Sequence, residues 1–337
     1  MLPVFEYPSF IQLNITNQCN LRCKHCFNDS GIKNTNELTD EEIFNILNYF
    51  LSKKIVCITF GGGEALMHNK IFDFIKYAKK RNGQITLLSN GLVVNKSVAN
   101  KLYKSGIFRM RISLDGSNKK INDFIRSKGS FDGAVSALKN LLSVPIPEVA
   151  VMTTINKYNY DDLENIIKLL IKIGIKDVKF IPTISEGRAK KDFNKYILAG
   201  NFMKLLLKKK EDLVKKYKKH IYISIDSPLE AIIHKTNNKE LQNCGPCLIG
   251  QVFLGIKSNG DIFTCPMLDN VIIGNVRKND IGKIWRKSKI LNQVRNLNLL
   301  KGKCQDCKIK CYCGGGCRAM SYLNYNDTLM PDPCCWL

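Results

Sequence analysis

The chain has no apolar run of 18 residues, the minimum for a membrane span. Its first ten residues, MLPVFEYPSF, lack the basic start and long apolar core of a secretory signal. Both absences lead to the expectation of a soluble, cytoplasmic protein with no membrane partner. Acidic residues are few, 29 against 52 Lys+Arg, which leaves a formal charge of +23. Charge of that size attracts nucleic acid, anionic substrates or acidic proteins. No RNA-binding signature, P-loop or internal repeat accompanies it. Its densest run, residues 204–219 (KLLLKKKEDLVKKYKK), reads as a helix with a solvated basic face, so nucleic acid is not expected as a partner.

Cysteine is missing from the whole stretch between Cys57 and Cys244, although the chain holds 14. Three lie within residues 19–26 and ten between 244 and 335. In a chain without export signals this usage points to metal or redox chemistry rather than disulfides, in two separate regions. Cys57 stands alone in the apolar run IVCITF and is expected to be a buried core thiol. His68, His220 and His234 take no assignable role.

With 337 residues and 45% hydrophobic composition, the chain can build one large domain and a smaller one. From residue 11 to about 190, short apolar strands (IQLNI, IVCITF, ITLL, FRMRIS, VAVMTT, VKFIPT) alternate with amphipathic helical stretches. Thr39 and Glu42 form a capping box ahead of IFNILNYFL, and YDDLENIIKLLIKIG ends on Gly174 as a helix should. Six βα repeats predict an α/β fold, a partial (βα)6 TIM-like barrel. Residues 191–240 read as helix, strand (IYISI) and short helix. From Cys244 the character changes: VFLGIKSNGDIFTC reads as a β-hairpin turning at Asn259-Gly260, followed by one helix around DIGKIWRKSKILNQV. The Cys- and Gly-rich tail buries little apolar area, so metal sites are expected to hold it together. The expected units are a barrel over 1–240 and a small Cys-rich α+β domain over 241–337.

In such sheets ligands bind beyond the carboxyl ends of the strands. The unusual residues fall there repeatedly: CNLRCKHC (19–26) after the first strand, GGGE (61–64) after the second, SNG (89–91), SLDG (113–116), Asn156 and GRA (187–189) after the next four. Three thiolates on one short loop suit a 4Fe–4S cluster with one iron left open for an outside ligand. A zinc site completed by His25, or three unligated thiols, are the alternatives.

C-x3-C-x2-C after the first strand of a βα barrel, followed by the G-G-E turn, resembles the radical S-adenosylmethionine (radical SAM) superfamily over roughly residues 8–225. The resemblance implies that Cys19, Cys23 and Cys26 hold a 4Fe–4S cluster whose open iron takes S-adenosylmethionine. It implies that His25 supports the adenine and that Gly62, Gly63 and Glu64 meet the methionine amino group. Ser89 and Asn90 would lie near the ribose and methionine, with Ser113 and Arg126 as further polar contacts to the cofactor. GGGEA departs from relatives that place a proline after the glutamate. The residue types fit these roles. Glycines let a backbone approach a ligand closely, and a carboxylate pairs with an ammonium group.

Cys304, Cys307, Cys313 and Cys317 form C-x2-C-x5-C-x3-C, preceded by C-x12-G-x4-C over Cys247, Gly260 and Cys265. With the DPCC segment, this resembles the SPASM domain, an extension that binds two auxiliary 4Fe–4S clusters. The resemblance implies one cluster on Cys247, Cys265 and Cys317, with Cys244 as fourth ligand. It implies a second on Cys304, Cys307, Cys313 and Cys335. Cys311 and Cys334 are spare, though either could swap in as a ligand, Cys334 in place of Cys335.

A radical SAM enzyme reductively cleaves S-adenosylmethionine to a 5′-deoxyadenosyl radical that abstracts hydrogen from its substrate. Enzymes of this two-domain layout mostly modify peptides or proteins by crosslinking, epimerisation or oxidation, and that is the expected substrate class. A tetrapyrrole or other small molecule is the alternative. A non-enzymatic multicluster electron carrier or metal-stabilised binding protein is a third reading, which leaves the loop and the GGGE turn unexplained. Pro266 stands where the sulfatase-maturing branch carries an aspartate, which argues against formylglycine formation. The first strand begins near residue 11, so no leader-binding domain is expected ahead of it, and a peptide substrate would need a separate leader-binding protein as partner or direct recognition. A flavodoxin- or ferredoxin-type protein is the expected electron donor.

Overall fold

Strand β1 (Phe10–Thr16) is buried along nearly its whole length, polar Gln12 and Asn14 included, because strands flank it on both sides. Six further strands follow in parallel on one side: β2 (Cys57–Gly62), β3 (Gln84–Ser89), β4 (Arg109–Ser113), β5 (Glu148–Ile155), β6 (Asp177–Pro182) and β7 (Tyr222–Ile225). On its other side β1 pairs in parallel with β8 (Phe253–Ile256), which leads into the antiparallel strands β9 (Asp261–Phe263) and β10 (Ile272–Asn275). This computed structural model describes residues 5–55, 57–192, 201–235, 241–268 and 270–337. Its ten-stranded sheet does not close; β7 and β10 form the two edges. The fold is thus an open, TIM-like α/β sheet with a Cys-rich C-terminal region. The expected boundary near 240 and part of the 191–240 reading lie outside the described residues. The cysteine-rich region shares the barrel's sheet through the β1–β8 pairing.

Alternation sets the two faces of the sheet. Ile58, Phe60, Met110, Ile112, Val178 and Phe180 are fully buried toward the helices. Thr59, Arg111, Ser113 and Lys179 occupy the alternate positions and remain partly exposed. Helices α1 (Asp40–Ser52), α2 (Ile71–Lys79), α3 (Lys96–Ser105), α4 (Lys119–Ile125), α5 (Ser130–Leu142) and α6 (Leu163–Ile173) supply the apolar side. The Thr39–Glu42 capping box starts α1, and Gly174, at φ 103°, ends α6. The basic helix Asn201–Tyr217 buries Met203, Leu206, Leu207 and Leu213 and turns most of its lysines outward.

Three readings are corrected. The β8–β9 turn has three residues, not two: Gly260 N–H closes a turn on the Lys257 carbonyl (2.9 Å), and Gly260 itself sits at φ 86°. That is a type I turn completed by a left-handed glycine. The helix expected around residues 280–294 is two, Ile281–Lys287 and Lys289–Arg295, broken at Ser288, whose ψ of 124° is extended. Cys57 opens β2 on the same face as Thr59 and is half-buried rather than a core thiol.

Candidate active site

The loop leaving β1 carries Cys19, Cys23 and Cys26, and neighbouring rim segments fasten it. Cys19 N–H donates to the Gly31 carbonyl (3.0 Å), and Lys24 N–H to Ile125 at the end of α4 (2.9 Å). From the β2 rim, Gly63 N–H bonds the Thr16 carbonyl and Glu64 N–H the Gln18 carbonyl, both at 2.8 Å. A Cβ on Gly63 would overlap the backbone of residues 17 and 18, so the close approach expected of the glycine is made here to the cysteine loop. The Gly62 carbonyl accepts from Asn28 Nδ2 at 3.0 Å. From the β6 rim, Arg188 donates its N–H to Cys26 O (2.9 Å) and its Nε to Cys23 O (2.8 Å). Asn156, at the β5 rim, is fully buried and accepts from Tyr158 N–H within its own turn.

Polar groups also face the sulfurs. Leu21 N–H stands 3.5 Å and Asn90 Nδ2 4.0 Å from Cys19 Sγ, and Arg126 Nη1 stands 3.9 Å from Cys23 Sγ. Burial pushes the Cys23 thiol up to about 11, against the pull of Arg126, and raises Cys19 as well. A thiol in that state gains its thiolate by binding a metal, which fits the donor set to an iron site.

Glu64 is buried and its oxygens are engaged: Oε1 accepts from Leu66 N–H (3.2 Å) and Oε2 from Asn90 N–H (2.8 Å). Burial raises its carboxyl to about 7. Asn90 in turn donates to Asn20 on the cysteine loop (2.6 Å), and Ser89 Oγ accepts from Gly91 N–H (3.0 Å). Glu64, Ser89 and Asn90 therefore meet, as the motif order implies. Ser113 closes β4, paired with Met152 of β5.

Sequence reasoning missed Asp115. It is fully buried, accepts Thr154 N–H at 2.7 Å, and faces both His25 Nε2 (3.4 Å) and Arg126 Nε (2.6 Å). The Arg126 contact is a close ion pair rather than an aligned hydrogen bond, and His25 Nδ1 is buried without a partner. Burial lowers His25 to about 4, so the ring is neutral at pH 7. Only the L-D-G of SLDG signalled Asp115. Arg188 was marked by its rim position in GRA, without a role.

In the tail, Cys304, Cys307, Cys313 and Cys335 line one small cavity of about 50 Å³ together with Lys303 and Lys310. Burial pushes the Cys313 thiol up to about 11, helped by Cys307, Cys304 and Cys335. Cys247, Cys265 and Cys317 form the other neighbourhood. Burial, then the neighbouring thiols, raises Cys265 well above its ordinary value. Cys244 is half-buried, Cys311 exposed and Cys334 buried. A tetrahedral zinc about 2.3 Å from each sulfur would hold the sulfurs about 3.8 Å apart. Among the described residues, only Glu211, Glu230 and His234 have ligand atoms all within 4.8 Å of one another. That set surrounds the Lys210 ammonium, which bonds Glu211 (2.9 Å) and Glu230, and forms an ion-pair network. Among the described residues, no three cysteine sulfurs lie that close together.

No helix among the described residues is long and apolar enough to cross a membrane. A family model for the radical SAM superfamily matches residues 13–170, and one for an iron–sulfur cluster-binding domain, SPASM, matches 247–311. The mycofactocin maturase MftC of Mycolicibacterium smegmatis is 26% identical over 336 residues, covering 98% of this chain and 83% of that protein. The AdoMet-dependent heme synthase of Methanosarcina barkeri is 26% identical over 348 residues, covering 99% and 98%. Streptococcus suis SuiB bound to its precursor peptide SuiA superposes with a TM-score of 0.79 at 17% identity, over 99% of this chain and 77% of that one. Cysteine loop, rim and tail agree with these matches: the chain belongs to the radical SAM superfamily and carries a C-terminal SPASM domain.

Proposed function

We propose that the protein is a maturase that starts radical chemistry on a ribosomally made peptide or protein. The observation that carries the chemical part is the convergence of Glu64, Asn90, Arg126 and Arg188 on the loop of Cys19, Cys23 and Cys26. In this reading those three cysteines hold one 4Fe–4S cluster and S-adenosylmethionine occupies its open corner. Cys244, Cys247, Cys265 and Cys317 hold a second cluster, and Cys304, Cys307, Cys313 and Cys335 a third. Residues 1–240 form the catalytic unit and 241–337 the auxiliary one.

When bound, the cluster and S-adenosylmethionine supply one-electron cleavage of a carbon–sulfur bond and hydrogen abstraction from the substrate. The chain's own residues prepare the site. Arg126 and the Leu21 N–H favour the thiolates of Cys23 and Cys19. Neutral His25, backed by Asp115, adds no charge next to the cluster. Glu64 fixes Asn90, which reaches the loop from the β3 rim. In this reading Gly62 and Gly63 meet the cofactor's amino group, Ser89 lies near its ribose and methionine, and Ser113 is a further polar contact.

The peptide reading is supported by the mycofactocin maturase among the relatives, and Pro266, opening a short 3-10 turn, supports leaving formylglycine formation aside. A tetrapyrrole substrate is the second reading, favoured by the match to a heme synthase over nearly the full length of both chains. A leader-binding protein and an acidic flavodoxin or ferredoxin are the proposed partners, the latter consistent with the charge of +23. Anaerobic reconstitution should give about 12 iron per chain, falling to about 8 when Cys19, Cys23 and Cys26 are all replaced by alanine. With a candidate precursor peptide, 5′-deoxyadenosine formation should rise above the uncoupled rate. Stimulation by an iron porphyrin and by no peptide would transfer the proposal to the second reading.

A further inference from the structure

Arg318 follows Cys317 directly and opens the helix Arg318–Tyr325. Its side chain is 2% exposed, a costly place for a permanent charge unless something nearby compensates it. Its bonds go to carbonyl groups: Nε to Gly316 (3.2 Å), Nη1 to Thr328 (2.7 Å) and Met330 (3.0 Å), and Nη2 to Gly315. Among the described residues it makes no ion pair. The buried carboxylate of Asp332, close by, is itself bonded to the N–H groups of Cys317 (2.7 Å) and Cys334 (2.8 Å). The field of Arg318 reaches Cys247 in one tail neighbourhood and Cys304 in the other. A buried cation that directly follows Cys317 and whose hydrogen bonds all go to neutral oxygens is a charge that thiolates beside it can balance.

We infer that Arg318 is the shared counter-charge of the two auxiliary sites and sets how readily both accept an electron. The inference rests on the ligand sets proposed above. An iron–sulfur cluster on four thiolates carries net negative charge, and reduction adds one more, so a fixed cation beside it favours the reduced form. Placing one guanidinium between two such sites raises both potentials together. The carbonyl cage keeps it there, since five fixed donors match four converging oxygens better than an ammonium would.

The test is a spectroscopic redox titration of full-length protein in which Cys19, Cys23 and Cys26 are alanine, so that only the tail sites hold iron. Arg318→Gln and Arg318→Lys are compared with the unsubstituted chain, with iron content measured beside the titration. The expected result is a move of both tail midpoints to more negative potential in Arg318→Gln and midpoints near the starting values in Arg318→Lys. If Arg318→Gln holds no iron while Arg318→Lys holds it at unshifted potentials, charge is again the property that matters. Iron lost equally from both variants, or lost only from Arg318→Lys, would make the residue a backbone clamp and overturn the inference. So would unshifted midpoints in an iron-replete Arg318→Gln. A parent chain with no tail iron would instead refute the ligand sets, a separate failure visible before any Arg318 variant is made.

Discussion

Replacing Asp115 by asparagine changes one atom and isolates the charge of a buried carboxylate. Asp115 is fully buried, and Arg126 opposite it is nearly so, at 2.6 Å. The amide oxygen of the variant can keep the bond from Thr154 N–H, which measures 2.7 Å. Its NH2 group then faces the Arg126 Nε–H, donor against donor, and the guanidinium loses its counter-charge. Removing one partner of a buried pair costs about 3–5 kcal/mol, most of it from the charge left behind. Arg126→Met should cost a similar amount, because it strands the carboxylate. The double variant strands neither group, so it should fall short of the summed losses by about 2 kcal/mol. Urea unfolding of the metal-free full chain at neutral pH, on all four proteins, measures this. Iron binding at the cysteine loop should fall in both single variants, since Arg126 also faces Cys23 Sγ at 3.9 Å. A loss below about 0.5 kcal/mol in Asp115→Asn, or strict additivity in the cycle, would refute the reasoning.

Gly63→Ala should strip iron from the loop site alone. Its Cβ would overlap the backbone of residues 17 and 18 and break the bond from Gly63 N–H to Thr16 O, so about 4 of 12 iron should be lost with tail iron retained. A full complement of iron in the variant would show that the loop moves aside freely. At the surface, Arg277 bonds Glu42 in a fork at 2.6 and 2.8 Å, tying the hairpin region to α1. Those bonds hold the Glu42 carboxyl at about 2, below its ordinary 4.5. A depressed carboxyl stabilises the fold fully above about pH 4.5, and the gain is lost as pH falls through about 2. Solvent screening of this third-exposed pair limits the gain to about 1 kcal/mol. Glu42→Gln should therefore be less stable than the parent at pH 7, with the gap closing toward pH 2; a gap that widens on acidification would reverse the sign.

What could be read from the sequence was local. The C-x3-C-x2-C spacing, the Thr39–Glu42 box and the terminal Gly174 each act within one or two turns of chain, and each occupies the expected place. The rim positions could also be read, since strand ends are marked by a change of residue type. What escaped depends on partners far apart in the chain. His25, Asp115 and Arg126 meet only because α4 folds back over the cysteine loop, as the Lys24–Ile125 bond shows. Arg188 reaches Cys23 from 165 residues away. Cys57 looked like core because IVCITF is apolar throughout, yet alternation places it on the face shared with Thr59. Ser288 breaks its helix through an extended ψ that the surrounding helix-forming residues do not reveal.

The tail carries the same lesson further. Its sparse apolar content suggested that metal sites hold it together. The structure supplies a polar frame as well. Asp332 of the DPCC segment accepts the N–H groups of Cys317 and Cys334, so one carboxylate joins the end of the Gly314–Gly316 turn to the DPCC segment. Gly316, at φ 87°, has no Cβ to obstruct it; an alanine there would overlap the Asp332 side chain. Arg318 ties the same glycine turn to residues 328 and 330. The cysteines of the two neighbourhoods are therefore positioned by bonds between backbone and buried charge, and metal completes an arrangement that those bonds already specify. This explains why two buried charges, Asp332 and Arg318, are kept inside a region with so little apolar area to spare. The anion orients the N–H groups next to the thiols, and the cation offsets the charge those thiols acquire when they bind iron.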